Sequence, residues 1–226
     1  MKISVIITAG GSSSRYGNKN KLLEIIKGKT ILEHTVQVFL NRDDVDEIII
    51  PAHKDLIPDL KFKSDKIKII EGGKVRQESV YFGLLACSKP DYVMIHDGAR
   101  PLIKDKDIDL CLRKAIETGA SIVASKVVDT MKTVDETGKI TSTVPRDNMY
   151  AVQTPQIFKY DLILNAHEKL KGQSFTDDAL LLEQLNIPVY VTEGDRTNIK
   201  ITHKEDLDLI KTYFGNNISS SLNNSK

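Results

Sequence analysis

Short apolar runs and apolar stripes of helical spacing take turns along this chain. Runs over 2–8, 46–51, 67–71, 91–96, 121–127 and 187–192 read as strands, since near-continuous apolar runs of that length suit strands buried on both faces. After the first run, Leu32, Val36, Phe39 and Leu40 share one helical face, which predicts a helix over 30–41. Thr30 and Glu33 supply its capping box. Val80, Leu84 and Cys87 mark a second stripe over 75–88, and Ile108, Leu112, Ala115 and Ile116 a third over 105–118. Thr202 with Glu205 predicts another capped helix, carrying Leu207, Ile210 and Phe214. Strands alternating with helices imply crossover units and an α/β fold on a mostly parallel sheet.

One stretch breaks this rhythm. Thr130–Val134 and Lys139–Val144 flank Asp135-Glu136-Thr137-Gly138, a hairpin signal. Its charged, thinly apolar sequence would bury poorly against the main sheet. It therefore predicts an arm over about 128–150 reaching toward a second subunit, with an ordinary edge hairpin as the other reading. Beyond Phe214 the chain is too polar to order itself, so the expected domain is 1–214 and 215–226 a disordered tail.

Composition narrows the class only a little. The chain has 226 residues, 40% hydrophobic and 28% charged, enough for one large α/β domain or two small ones with a substantial core. Its net charge of +1 gives no global field favouring nucleic acid or membrane, so any anion site must be local. No run is long enough for a signal h-region or a membrane helix. Cys87 and Cys111 lack metal or disulfide spacing and read as small buried side chains, with cytoplasm the expected compartment.

Candidate chemistry gathers at strand ends. Ile3–Ile7 feeds into Ala9-Gly10-Gly11-Ser12-Ser13-Ser14-Arg15, with Lys21 further on. Small residues there let the backbone approach a phosphate, and the two cations can neutralise it. The loop fits neither the dinucleotide fingerprint nor the P-loop. Tyr92–Ile95 leads into His96-Asp97-Gly98-Ala99-Arg100-Pro101; Asp97 can hold Mg²⁺ against phosphates or pair with Arg100 to fix the turn. His96 reads as a packed, hydrogen-bonded histidine. In Gly72-Gly73-Lys74-Val75-Arg76-Gln77-Glu78-Ser79 the helix N-terminal amides with Arg76 and Ser79 can meet a base, ribose or phosphate; the other reading is a helix cap. Arg146, Gln153-Thr154-Pro155-Gln156, Thr176-Asp177-Asp178-Ala179 and Asn198-Ile199-Lys200-Ile201-Thr202 add cations and hydroxyls. Taken singly these are turns and caps, with Thr176 a candidate N-cap and Lys200 on an exposed edge. Together they lack a paired nucleophile and base, which suits a transfer in which the substrate brings its own nucleophile.

In this order, and with Asp129-Thr130-Met131-Lys132, the motifs resemble those of the 2-C-methyl-D-erythritol 4-phosphate cytidylyltransferases of the non-mevalonate isoprenoid pathway, from about residue 2 to about 213. The resemblance implies a Rossmann-like, three-layer nucleotidyltransferase fold and a homodimer joined through the arm. It implies transfer of a cytidylyl group from CTP to methylerythritol phosphate, with Mg²⁺ and release of pyrophosphate. Arg15 and Lys21 would stabilise the transition state, with Arg146 and Lys200 as further catalytic cations. Ala9, Gly10, Gly11, Gly73, Ser79, Asp97 and Gly98 would bind CTP. Asp97, Arg100, Thr130, Thr154 and Thr176 would bind the acceptor, Thr130 and Arg146 reaching in from the partner's arm. Asp97 would serve the metal. Three departures from the family pattern stand out: Ser13 for glycine, Asn20 and Leu22 around Lys21 for proline and glutamine, and Gly98 for alanine, a mild change. Ribitol 5-phosphate cytidylyltransferases share most of this chemistry, and a non-catalytic nucleotide-binding homologue shares the fold.

Overall fold

A computed structural model describes residues 1–10 and 20–222. Its strands are β1 (Ile3–Thr8), β2 (Ile25–Ile26), β3 (Lys29–Thr30), β4 (Glu47–Ala52), β5 (Ile67–Glu71), β6 (Tyr92–Asp97), β7 (Ala120–Lys126), β8 (Met131–Val134), β9 (Ile140–Val144), β10 (Tyr150–Lys159) and β11 (Tyr190–Glu193). Its α-helices are α1 (Ile31–Leu40), α2 (Arg76–Ala86), α3 (Asp105–Thr118), α4 (Tyr160–Lys169), α5 (Ala179–Gln184) and α6 (Lys204–Leu222). The main sheet has seven strands in the order β11-β7-β10-β6-β1-β4-β5. All pairings are parallel except those of β10, which runs antiparallel to both β6 and β7.

Alternation along β1 sorts the core into two layers. Ile3, Val5 and Ile7 face one side, where they join Leu32, Val36 and Phe39 of α1, Ile108 and Cys111 of α3, and Ile210 of α6. Ile6 faces the other, with Val80 and Leu84 of α2, Ile163 of α4 and Leu181 of α5. The sheet is thus covered on both faces, as continuous apolar strands require. Cys87 and Cys111 are free, buried and in opposite layers. Burial pushes their thiols up to about 12 and about 11 respectively. Among the described residues no helix is long and apolar enough to cross a membrane.

Local signals held where the local sequence decides the outcome. The Thr30–Glu33 capping box is present, the Thr30 hydroxyl accepting from the Glu33 N–H at 3.1 Å and the Glu33 carboxylate from the Thr30 N–H at 2.6 Å. The hairpin of β8 and β9 forms its own two-stranded sheet and pairs with no strand of the main one, so it is an arm rather than an edge hairpin. Asp135 Oδ1 closes its turn by accepting from the N–H groups of Thr137 and Lys139.

Elsewhere tertiary contacts overrode the sequence pattern. β10 lies inside the sheet despite Pro155, which argues against an interior strand. A register shift between Val152 and Gln156 takes up the proline, and the Thr154–Pro155 peptide is cis. α4 carries no such signal, and α5 only the candidate N-cap at Thr176. At the start of α6 the cap is not Thr202 with Glu205: Asp206 Oδ2 accepts from the N–H groups of Thr202 and His203, while the Thr202 hydroxyl donates to the Lys200 carbonyl. The backbone of α6 stays helical through Leu222, so residues 215–222, read from their polarity as a disordered tail, continue a helix begun on the apolar core.

Candidate active site

The carboxyl ends of β1 and β6 lie side by side, with Thr8 in register with Asp97. Open parallel sheets bind ligands at this edge. Asp97 is 5% exposed there, and three cations from three parts of the chain converge on it. Arg76 Nε, in the first turn of α2, lies 3.3 Å from Oδ1. Arg100 Nε and Lys200 Nζ lie 3.2 and 3.0 Å from Oδ2. Burial favours the neutral acid, but these charges outweigh it and hold the Asp97 carboxyl far below the usual carboxylate range. Arg100 also donates to the Asn198 carbonyl at 2.7 Å, which ties the 97–101 turn to the segment carrying Lys200.

His96 is fully buried behind this cluster, against the Phe39 ring. The Arg100 carbonyl, 3.1 Å from Nε2, can only accept, so Nε2 carries the proton. Nδ1 then accepts from the Thr154 hydroxyl at 3.0 Å, and Thr154 in turn accepts from the Asp97 N–H at 3.1 Å. A relay of three hydrogen bonds thus fixes the Asp97 backbone, as the sequence reading of a packed histidine implies. Burial lowers the His96 pKa to about 4. Its unfolded value is about 6.5, so the group binds a proton more readily unfolded, and its stabilisation is complete above pH 6.5 and lost as pH falls toward 4. Wild-type unfolding free energy is therefore expected to drop by roughly 2 kcal/mol between pH 7 and pH 5. Urea titrations at the two pH values check this, and His96→Gln should flatten the difference. A wild type equally stable at both values would remove this role.

A pocket of about 400 Å³ opens over the cluster, and Arg76, Asp97, Arg100, Thr154, Thr176 and Lys200 are among the residues lining it. β10 supplies much of its frame. Gln153 accepts from the Asn198 side chain, and Gln156 Oε1 accepts from the N–H groups of Asp178 and Ala179. Asp177, rather than Thr176, caps α5: its Oδ1 accepts from the Leu180 N–H at 3.2 Å. Thr176 is left to line the pocket. Lys200, expected on an exposed edge, is drawn onto Asp97. Asp178, Gln153, Gln156 and Asn198 were not singled out as site residues, whereas Arg76, read from the sequence as able to meet a base, ribose or phosphate, does line the pocket. The two glutamines, among the apolar residues of β10, were the available signal for this frame.

The glycine-rich side adjoins Asp97. A Cβ at Gly10 would lie 2.8 Å from Ser79 Oγ, so only glycine permits this approach without a shift. Ser79 Oγ also accepts from the Gly73 N–H at 3.0 Å, fixing the turn before α2. Gly98 sits equally close to β1: a Cβ there would lie 2.8 Å from the Thr8 carbonyl oxygen, so replacing it with alanine is not mild in this chain. Ala9 is buried and donates its N–H to the Pro51 carbonyl at 2.9 Å, which takes that amide away from any phosphate. Asn20 Oδ1 accepts from the Leu22 N–H at 3.0 Å and Leu22 enters the core, so these two departures anchor the short 3-10 turn that carries Lys21. Gly11, Ser13 and Arg15 lie outside the described residues. Thr130 and Arg146 are exposed on the arm and do not line the pocket of their own chain.

The donor set does not match a protein-built metal centre. Both Asp97 oxygens are engaged by cations, and no group of three or more His, Cys, Asp or Glu side chains gathers among the described residues. Asp97 as a metal ligand therefore does not fit its surroundings, since a divalent ion would sit among three fixed positive charges.

The chain matches the family described as IspD, 2-C-methyl-D-erythritol 4-phosphate cytidylyltransferase, over residues 3–216. It is 40% identical over 217 residues to the 2-C-methyl-D-erythritol 4-phosphate cytidylyltransferase of Bacillus licheniformis, covering 92% of this chain and 93% of that one. Among solved structures it resembles the 4-diphosphocytidyl-2C-methyl-D-erythritol synthase of Anaerococcus prevotii, with a TM-score of 0.83 and 32% identity over 95% and 96% of the two chains. The 2-C-methyl-D-erythritol 4-phosphate cytidylyltransferase of Thermus thermophilus matches with a TM-score of 0.81 and 33% identity, over 94% and 98%.

Proposed function

The chain belongs to the 2-C-methyl-D-erythritol 4-phosphate cytidylyltransferase family, and from that premise we propose how its residues divide the reaction. The enzyme transfers a cytidylyl group from CTP to 2-C-methyl-D-erythritol 4-phosphate, giving 4-diphosphocytidyl-2-C-methyl-D-erythritol and pyrophosphate. An oxygen of the acceptor phosphate bonds to the α-phosphorus as the bond to the β-phosphate breaks. That phosphate is already an anion at neutral pH, so no general base is required. The barrier lies in bringing two anions together and stabilising charge at the α-phosphorus, which calls for preorganised cations.

The observation that carries the assignment of this site is the convergence of Arg76, Arg100 and Lys200 on one buried carboxylate at the pocket floor. Arg100, Thr154, Thr176 and Lys200 hold the acceptor, with Asp97 spacing the cations and meeting acceptor hydroxyls. Gly10, Gly73, Ser79 and Gly98 frame the nucleotide, with Ala9 behind them as a packed wall. By the family resemblance Gly11 would bind CTP, and Arg15 and Lys21 would stabilise charge at the α-phosphate. Among the described residues no acidic cluster cradles Mg²⁺, and the triphosphate oxygens would be the hard donors for a divalent cation. The catalytic domain takes in residues 1–214 with the arm about 128–150. Buried free cysteines suit a reducing, cytoplasmic setting, and the balanced charge gives no reason to invoke nucleic acid or membrane.

Pyrophosphate release from CTP tests the reading. Turnover is expected with methylerythritol phosphate and not with ribitol 5-phosphate; the reverse result would reassign the acceptor, and release with neither would favour a non-catalytic homologue.

The arm completes the site of a partner in a homodimer. Supporting this, it pairs with no strand of the main sheet and exposes Met131, Val134 and Ile140. Thr130 and Arg146 would thus reach the partner's pocket. Mixing Lys21→Ala with Arg146→Ala protein is expected to restore activity, because heterodimers would hold one intact site. No recovery, with subunit exchange verified by mass spectrometry, would remove the shared site.

A further inference from the structure

Asp178 stands immediately before α5, where an aspartate would ordinarily cap the helix. It does not: its side chain makes no capping hydrogen bond. The helix start is already satisfied by Asp177, which accepts from Leu180, and by Gln156, which accepts from the Asp178 and Ala179 N–H groups. The Asp178 carboxylate is nonetheless 1% exposed, and burying an ion without compensation is costly. His167 Nε2 lies 3.8 Å from Oδ1, too far for a hydrogen bond. Arg76 provides the charge compensation, its Nη1 2.8 Å from Oδ2 in an ion pair that lacks the alignment of a hydrogen bond. Its charge holds the Asp178 carboxyl below the usual range against the effect of burial.

Resting on the cytidylyltransferase reading above, we propose that Asp178 is a positioning residue that holds Arg76 in place for the acceptor phosphate. The guanidinium spans two buried acids, Nε on Asp97 and Nη1 on Asp178, while its remaining 28% exposed surface lines the pocket. A planar fork can bridge two carboxylates in this way; a lysine ammonium, a single point of charge, cannot hold the same geometry. Removing the Asp178 charge leaves Arg76 tethered through Nε alone and free to compete with Arg100 and Lys200 for Asp97. The spacing of the three cations, which the incoming phosphate meets, is then lost.

Steady-state kinetics of the full-length protein with CTP and methylerythritol phosphate tests this. Asp178→Asn keeps the shape and removes the charge, and should lower kcat/KM for the acceptor about 10- to 100-fold with KM for CTP unchanged. Arg76→Lys should behave alike, and the double variant should be no worse than Arg76→Lys alone. Wild-type acceptor kinetics in a folded Asp178→Asn protein, or penalties that add in the double variant, would overturn the proposal. If Asp178→Asn does not fold, Asp178→Glu decides: a raised acceptor KM with unchanged KM for CTP supports the role, and wild-type values reject it. If the wild type releases no pyrophosphate with this acceptor, the functional reading fails separately. Calorimetric binding of inorganic phosphate then decides the inference, weaker binding by Asp178→Asn supporting it and equal binding overturning it.

Discussion

Asp97→Asn should lower the unfolding free energy by about 3 kcal/mol at pH 7, as expected when one partner of a buried charge cluster is removed. Arg76 would keep Asp178 and Arg100 would keep the Asn198 carbonyl, but Lys200 would lose its carboxylate, and three like charges would face one another without a central anion. The figure sits at the low end of the usual range because the Lys200 side chain is 40% exposed and solvent screens its share. The pH dependence follows with a definite sign. The folded-state Asp97 pKa lies below the unfolded value of about 4, so its contribution is present above that value and is lost as pH falls through the acid range. That window lies below the one set by His96, so the two are separable in one series of urea titrations. An Asp97→Asn protein as stable as wild type at pH 7 would show that the cluster contributes nothing net to folding.

Lys21→Ala should lose about 10²- to 10³-fold in turnover while stability changes by less than about 1 kcal/mol. The backbone that carries Lys21 is held by the Asn20 cap and by burial of Leu22, neither of which needs the lysine side chain to be a lysine. On the proposed assignment the variant removes a positive charge from beside the α-phosphate and leaves that backbone in place. Measuring kcat at saturating CTP and acceptor, alongside the urea midpoint, separates the two quantities. Near-normal turnover would take Lys21 out of the reaction, and a large fall in midpoint would make it a structural residue.

The chain's own order of residues determined a good deal of this protein. The apolar runs of β1, β4 and β6 mark strands covered on both faces; Thr30 and Glu33 start α1; Asp135 and Gly138 turn the hairpin; and the hairpin's thin, interrupted apolar content keeps it out of the main sheet. These outcomes rest on contacts between near neighbours or on one-dimensional periodicity, so they are legible in one dimension. The linear order of motifs also points to phosphate chemistry and to the family. Only the tertiary structure decided that a proline-bearing strand, β10, enters the sheet, that Gln156 fixes the start of α5, that Asp206 rather than Glu205 caps α6, and that Ala9 spends its N–H on Pro51. It also decided that Arg76 joins Asp97 to Asp178. Apart from the placement of β10, each of these is a polar pairing whose choice among equally suitable partners depends on where the backbone carries them, and a buried polar group takes the donor or acceptor that packing brings within about 3 Å.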